Sequence, residues 1–243
     1  MPRLQLLDLP VDSLNRDGLL DAVEALVSAG SGGRVGYLNV HVANLAAKNP
    51  DLSSFLQDTD ICYCDGEGIR WAARVLGEEL PERMTGADWI WDLAQRAEER
   101  QWRLFWLGQE PGVAQAAAEA LLRKHPQLTI QTAHGFHPED AQADLVQQIQ
   151  TFQPHILLVG LGSPKQEAWV NKWSSSLAPA VCWCLGATAD FVSGHSNRGP
   201  SWLYNHQEWI ARLVHEPTRL WRRYLLGNSR FALRVARRRL RQV

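Results

Sequence analysis

ILLVGLGSPKQEAW, residues 156–169, decides how the rest of the chain is read. Residues 156–159 are apolar without alternation, the pattern of a strand covered on both faces. The run stops at Gly160-Leu161-Gly162, and Pro164 then opens a segment carrying Lys165, Gln166 and Glu167 on its first turn. Strand, glycine turn and helix start, in that order, bring backbone N–H groups to a place where a polar or anionic ligand can meet them. Function is therefore sought at the ends of such strands.

The same alternation extends in both directions. Short apolar runs at 4–9, 34–40, 60–64, 103–107, 128–133, 155–160 and 181–185 read as strands. Helical spacing fills 15–29, 42–56 (broken at Pro50), 69–76, 86–100, 112–124, 140–152 and 165–177. Helices of this length between short apolar strands predict an α/β fold: a Rossmann-like, mostly parallel sheet flanked by helices. From Pro200 onward no strand signal remains, so residues 1–195 are expected to form the catalytic domain and 196–243 a helical appendage.

The chain has 243 residues, 45% hydrophobic and 21% charged, enough for a substantial core and unlike a disordered chain. No apolar run approaches the roughly 20 residues that span a bilayer. The first 15 residues, MPRLQLLDLPVDSLN, have acids where a signal peptide needs an apolar stretch. These features predict a cytoplasmic protein, or one on the cytoplasmic side of a membrane. The net charge of −1 conceals an asymmetry. Residues 216–243 hold nine arginines against Glu216 alone, a segment of +8 on a body of −9. Leucines, Phe231 and Trp221 interleave with those arginines, as in an amphipathic helix that lies on anionic lipid. Nucleic acid is the rival partner for a basic tail, and the aromatic and leucine content favours lipid.

Cys62-x-Cys64 and Cys182-x-Cys184 lie inside apolar strand ends and are expected as buried free thiols. His134 and His137 flank a Gly-Phe turn without a carboxylate cluster, so no metal site is expected there. Strand ends carry the polar candidates. Asp65 follows a strand and is flanked by Gly66 and Gly68; it suits a general base, a hydroxyl-binding acceptor or a helix cap. Asn39 and His41 end the 34–40 strand, where Asn39 is an amide for a sugar or phosphate oxygen, or a cap. Arg83 precedes a helix expected to start at Thr85, an arrangement that can hold an anion. Gly160 and Gly162 match two glycines of a dinucleotide fingerprint, but Lys165 occupies the third position and no acid ends a strand some 20 residues on. A nicotinamide-dependent oxidoreductase therefore has thin support. Walker A, G-x-S-x-G and H-E-x-x-H patterns are absent.

Eight strings occur in order over residues 38–222: LNVHVANLA (38–46), DG-x-G (65–68), R-x-TG-x-D (83–88), VGLGSPKQE (159–167), GA-x-x-D-F-x-x-G (186–194), R-x-P-x-W (198–202), EW-x-x-RL (208–213) and EP-x-R-x-x-R (216–222). Together they resemble the WecG/TagA/CpsF family of bacterial glycosyltransferases. The resemblance implies an inverting transferase that moves an N-acetylmannosamine-type or related sugar from a UDP donor to a polyprenyl-diphosphate-linked sugar, for a cell-surface polymer. It implies no metal and no cofactor beyond the UDP-sugar co-substrate. By the same analogy Asp65 is the base, Asn39 and Gln166 bind sugar hydroxyls, and Arg83 lies near the acceptor or diphosphate. Asp190 helps hold the nucleotide sugar; Gly160, Gly162 and Lys165 line its pocket; Arg212, Arg219 and Arg222 close over phosphates. Nucleic acid is not an expected partner, and a homo-oligomer is left open. The match has departures around the expected donor pocket. Tyr37 stands where the family usually has Thr, and Cys184, Leu185 and Ala189 replace its usual Gly, Val and Phe.

Overall fold

The computed structural model describes residues 2–194 and 221–241, with the side chains of Arg222 and Arg223 outside that description. Eight strands form one sheet in the order β1-β2-β4-β3-β8-β7-β5-β6. They are β1 (Arg3–Leu6), β2 (Leu9–Asp12), β3 (Gly33–Leu38), β4 (Ile61–Cys64), β5 (Arg103–Gly108), β6 (Thr129–Ala133), β7 (Ile156–Gly160) and β8 (Val181–Cys184). Every pairing is parallel except β1 with β2.

The apolar runs explain the layering. All residues of β2, β4, β7 and β8 are buried, which a strand reaches only when helices cover both faces of the sheet. The edge strands differ: exposed positions recur along β1 and β6. The helices are α1 (Arg16–Ala29), α2 (Val40–Ala46), α3 (Pro50–Gln57), α4 (Glu67–Leu76), α5 (Gly86–Glu99), α6 (Val113–Lys124), α7 (Gln142–Phe152), α8 (Lys165–Leu177), the short α9 (Thr188–Val192) and α10 (Gly227–Leu240). The expected strands and helices are present. The stretch 4–9, expected as one strand, is instead a hairpin. Leu7 and Asp8 both take positive φ (54° and 64°) and reverse the chain. The hairpin is clamped by Arg3, whose Nε and Nη2 donate to the two Asp12 oxygens at 2.8 and 2.9 Å.

The expected boundary at residue 195 falls outside the described residues, but the helix beyond it is plainly docked. Phe231 and Val235 of α10 are buried and pack toward α2 and α4. Asn44 of α2 donates to the Gly227 carbonyl at 2.8 Å, and Arg234 donates to Ala43 O at 2.8 Å. The helix is thus half core element, despite its arginines. Among the described residues no helix is long and apolar enough to cross a membrane.

Candidate functional site

Sheet order locates the site before any side chain does. From β5 the chain leaves through α6 toward β6; from β7 it leaves through α8 toward β8, on the opposite side. Adjacent strands whose connections diverge open a crevice at their carboxyl ends, where ligands of α/β sheets bind. Here β5 and β7 end in Gly108 and Gly160, paired in register. Gly108 has φ 115°, and a Cβ on it would lie 2.6 Å from Gly160 O. Backbone touches backbone, and the crevice floor has no room for a side chain. Gly162 and Lys165 follow at the start of α8, with Lys165 exposed. Gln109, directly after Gly108, donates from Nε2 to Asp190 Oδ2 at 2.9 Å and accepts Gly135 N–H on its carbonyl at 2.8 Å. Asp190 is therefore held beside the β5 end. Phe136, in the turn after β6, is 64% exposed next to this junction. Neither Gln109 nor Phe136 stood out in the sequence; for Gln109 the signal available was an amide directly after a strand-ending glycine.

At the other end, β3 and β4 lie side by side, so the residues that follow them are brought together. Asn39 caps α2: its Oδ1 accepts Val42 N–H at 2.9 Å, which fixes the amide so that Nδ2 donates to Asp65 Oδ2 at 2.7 Å. Asp65 N–H in turn donates to Leu38 O at 2.9 Å, and residue 65 makes a parallel bridge to Met84. That bridge carries Arg83 alongside. Arg83 Nη2 lies 3.4 Å from Asp88 Oδ2, an oxygen that also accepts the Thr85 N–H and hydroxyl at 3.0 and 2.8 Å. Asn39, Asp65 and Arg83 are thus neighbours, though 44 positions separate the first from the last.

Between the two ends stands the tip of β8. Gln166 is fully buried. Its Oε1 accepts Gly186 N–H at 3.0 Å, while Nε2 donates to Glu167 Oε1 at 2.8 Å and lies 3.3 Å from both Tyr37 Oη and Ser163 Oγ. The sequence expectation had this amide on sugar hydroxyls; in the structure it ties the β7–α8 turn to β8 and β3. Glu167 is also buried, accepts from Ser163 Oγ at 2.7 Å, and is pushed above the usual carboxylate range by burial, against its hydrogen bonds from Ser163 and Gln166.

Of the remaining expectations, Arg212 and Arg219 lie outside the described residues, as does the side chain of Arg222. The four cysteines are buried and free, with burial raising each thiol. His134 and His137 stack on each other at 4.2 Å, burial lowers His137 below its ordinary value, and no metal-ligating cluster occurs among the described residues. A cleft between β6 and α7, about 580 Å³ and lined by Gln131, Asp144, Gln147, Gln148, Thr151 and Phe152, lies away from the strand ends. It gathers amides and a carboxylate but no cation.

The profile of the glycosyl transferase WecG/TagA/CpsF family matches residues 4–243. The chain belongs to this family. Similar proteins include the N-acetylglucosaminyldiphosphoundecaprenol N-acetyl-beta-D-mannosaminyltransferase of Bacillus spizizenii, 30% identical over 77% of this chain and 72% of that one. The protein of the same name from Bacillus subtilis is 26% identical over 94% and 89%; that of Staphylococcus aureus is 23% identical over 84% and 80%. This member is accordingly a glycosyltransferase of a family that serves polysaccharide synthesis. The nicotinamide reading of Gly160 and Gly162 falls with that assignment.

Proposed function

We propose that this glycosyltransferase moves an N-acetylmannosamine-type or related sugar from UDP to a hydroxyl of a polyprenyl-diphosphate-linked sugar, with inversion. The observation that carries this reading is the Asn39–Asp65 pair at the carboxyl ends of β3 and β4, with β8 between it and the glycine crevice at β5 and β7. The crevice takes the nucleotide diphosphate against Gly160, Gly162 and Lys165, with Asp190 and Gln109 beside it. The acceptor hydroxyl lies against Asp65. Its oxygen attacks the anomeric carbon from the face opposite UDP, the carbon–oxygen bond to the diphosphate breaks, and Asp65 takes the proton. One displacement from the far face inverts the centre. Asn39 holds Asp65 in one orientation, which is the entropic part of the catalysis.

UDP departs as an anion, and arginines match its oxygens in pairs. Arg83 serves on the Asp65 side and Arg212, Arg219 and Arg222 serve from the appendage, so this reading assigns no metal and no cofactor. The membrane partner follows from α10. Leu226, Arg230, Leu233, Arg237 and Leu240 recur at steps of four and three, all exposed and on the side away from the docked Phe231 and Val235. Leucines that enter the interface and arginines that meet anionic headgroups form one stripe. The enzyme would then work peripherally on the cytoplasmic face, where its nucleotide-sugar is made.

The test incubates the full chain with a panel of UDP-sugars and lipid-linked N-acetylglucosamine and reads product mass. A product heavier by one sugar, with UDP released, is expected. Absence of any glycosylated lipid across the panel overturns the reading. Binding to anionic vesicles that is insensitive to salt overturns the membrane part alone.

A further inference from the structure

Between α4 and α5 the chain runs from Gly77 to Thr85 without a helix and with one strand-like bridge, at Met84. Arg83 lies in this stretch, and this inference rests on the function proposed above, which sets Arg83 against the departing UDP. A segment of this kind has no ladder of its own, so its carbonyls take their partners from elsewhere. Packing supplies only part of the hold. Leu80 is buried, but a cleft of about 430 Å³ opens between the segment and α4, lined by Ser13, Arg70, Arg74, Glu79, Leu80 and Pro81.

Arg70 reaches across that gap. It stands on α4, five residues after Asp65. Its Nη1 donates to Glu67 Oε1 at 2.6 Å, an i,i+3 pair on the first turn of the helix. With that nitrogen anchored, Nη2 meets Pro81 O at 3.3 Å and Nε meets Leu80 O at 3.4 Å. The side chain is 20% exposed, so salt and water screen it little. One planar fork therefore ties the helix that follows Asp65 to two consecutive carbonyls just before Arg83. Arg16 N–H donates to Glu82 Oε1 at 2.6 Å, and residue 84 bridges to Asp65. Residues 80, 81, 82 and 84 are each held, and Arg83 is delivered between them. A lysine at position 70 would offer one ammonium on a flexible stem, without separate donors fixed in a plane.

We propose that Arg70 is a positioning residue for the transfer: clamped by Glu67, it sets where the Arg83 guanidinium stands relative to Asp65 and touches no substrate itself.

The experiment is a double-mutant cycle on kcat/KM, with UDP-N-acetylmannosamine as donor and lipid-linked N-acetylglucosamine as acceptor. Arg70→Met is expected to lower kcat/KM by about ten- to a hundredfold, the scale of an ångström-sized misplacement. Arg70→Lys is expected to fall nearly as far, and Arg83→Gln further. Adding Arg70→Met to Arg83→Gln is then expected to cost less than about twofold more, because no guanidinium remains to be placed. Multiplication of the two single effects in the double mutant overturns the proposal. So does an unimpaired Arg70→Lys or an unimpaired Arg83→Gln. Glu67→Ala releases the same clamp from its other side and is expected to show the same failure of additivity with Arg83→Gln, which keeps the test open if Arg70→Met does not fold. A second readout needs no substrate. Hydrogen exchange over residues 79–85 is expected to accelerate in Arg70→Met while α7 stays as it was; unchanged exchange over 79–85 overturns the proposal. Absence of any transfer by the unaltered chain is a different result, since it removes the functional reading while the exchange measurement still decides whether Arg70 holds the segment.

Discussion

At the ends of β3 and β4 the site is made of side chains, whereas at the ends of β5, β7 and β8 it is made of their exclusion. Asn39 and Asp65 hold each other at 2.7 Å through an amide oriented by the helix it caps. Gly108 and Gly160 leave no space for a β-carbon between two backbones. In the proposed reaction the first arrangement would supply a proton acceptor, and the second would bring backbone dipoles close to an anion. The inverting transfer proposed here would need both, because its forming and breaking bonds lie on opposite sides of one carbon.

The comparison breaks most visibly at Asp65. Asp65→Asn is expected to reduce transfer about 10²–10⁴-fold while UDP affinity, measured by calorimetry, stays as it was. A parallel loss of UDP binding would mean the two ends are not separable. Next in size is Phe231→Ala in α10. Removing a buried phenyl ring costs about 3–5 kcal/mol, read as a lower denaturation midpoint. Because α10 packs toward α2 and α4, hydrogen exchange should accelerate in those helices and not in the 160–164 turn. Uniform acceleration across both would erase the distinction.

Gly108→Ala attacks the opposite end. A non-glycine residue at this positive φ, with its Cβ against Gly160 O, costs about 1–3 kcal/mol in backbone strain alone. Its kinetic signature should be a raised KM for the nucleotide-sugar. The smallest effect belongs to Glu167, between the two ends. Burial raises its carboxyl above the ordinary range, so the fold favours the protonated form. That contribution is complete below about pH 4 and is lost as pH rises through the elevated folded value. Glu167→Gln keeps an acceptor for Ser163 and stays neutral. Its melting temperature should equal that of the original chain in acid and exceed it at pH 8.

Much of this architecture was legible in residue order. Apolar runs without alternation marked the covered strands, and Pro164 with the 165–177 spacing located α8. Asp65 and Asn39 stood out as polar residues directly after buried strands, and the structure pairs them while Asn39 also caps α2. What escaped notice depended on long-range neighbours. The Leu7-Asp8 reversal has none of the glycine or asparagine that usually announces positive φ. Gln166 looked like a ligand-binding amide because its partners, Tyr37 and Gly186, are 129 and 20 positions away. The nine arginines concealed a docking face, since two buried side chains, Phe231 and Val235, suffice to seat α10. Gln109 acquires meaning only once Asp190 is seen beside it.

The close approach of Gly108 to Gly160 carries a consequence for how such an enzyme can change over generations. A contact between two backbones offers selection no graded steps, because the smallest possible substitution already adds the atom that does not fit. This end of the site can then be kept or lost but hardly adjusted. Change has to arise beside it, at positions where one side chain can be traded for another without moving the strands.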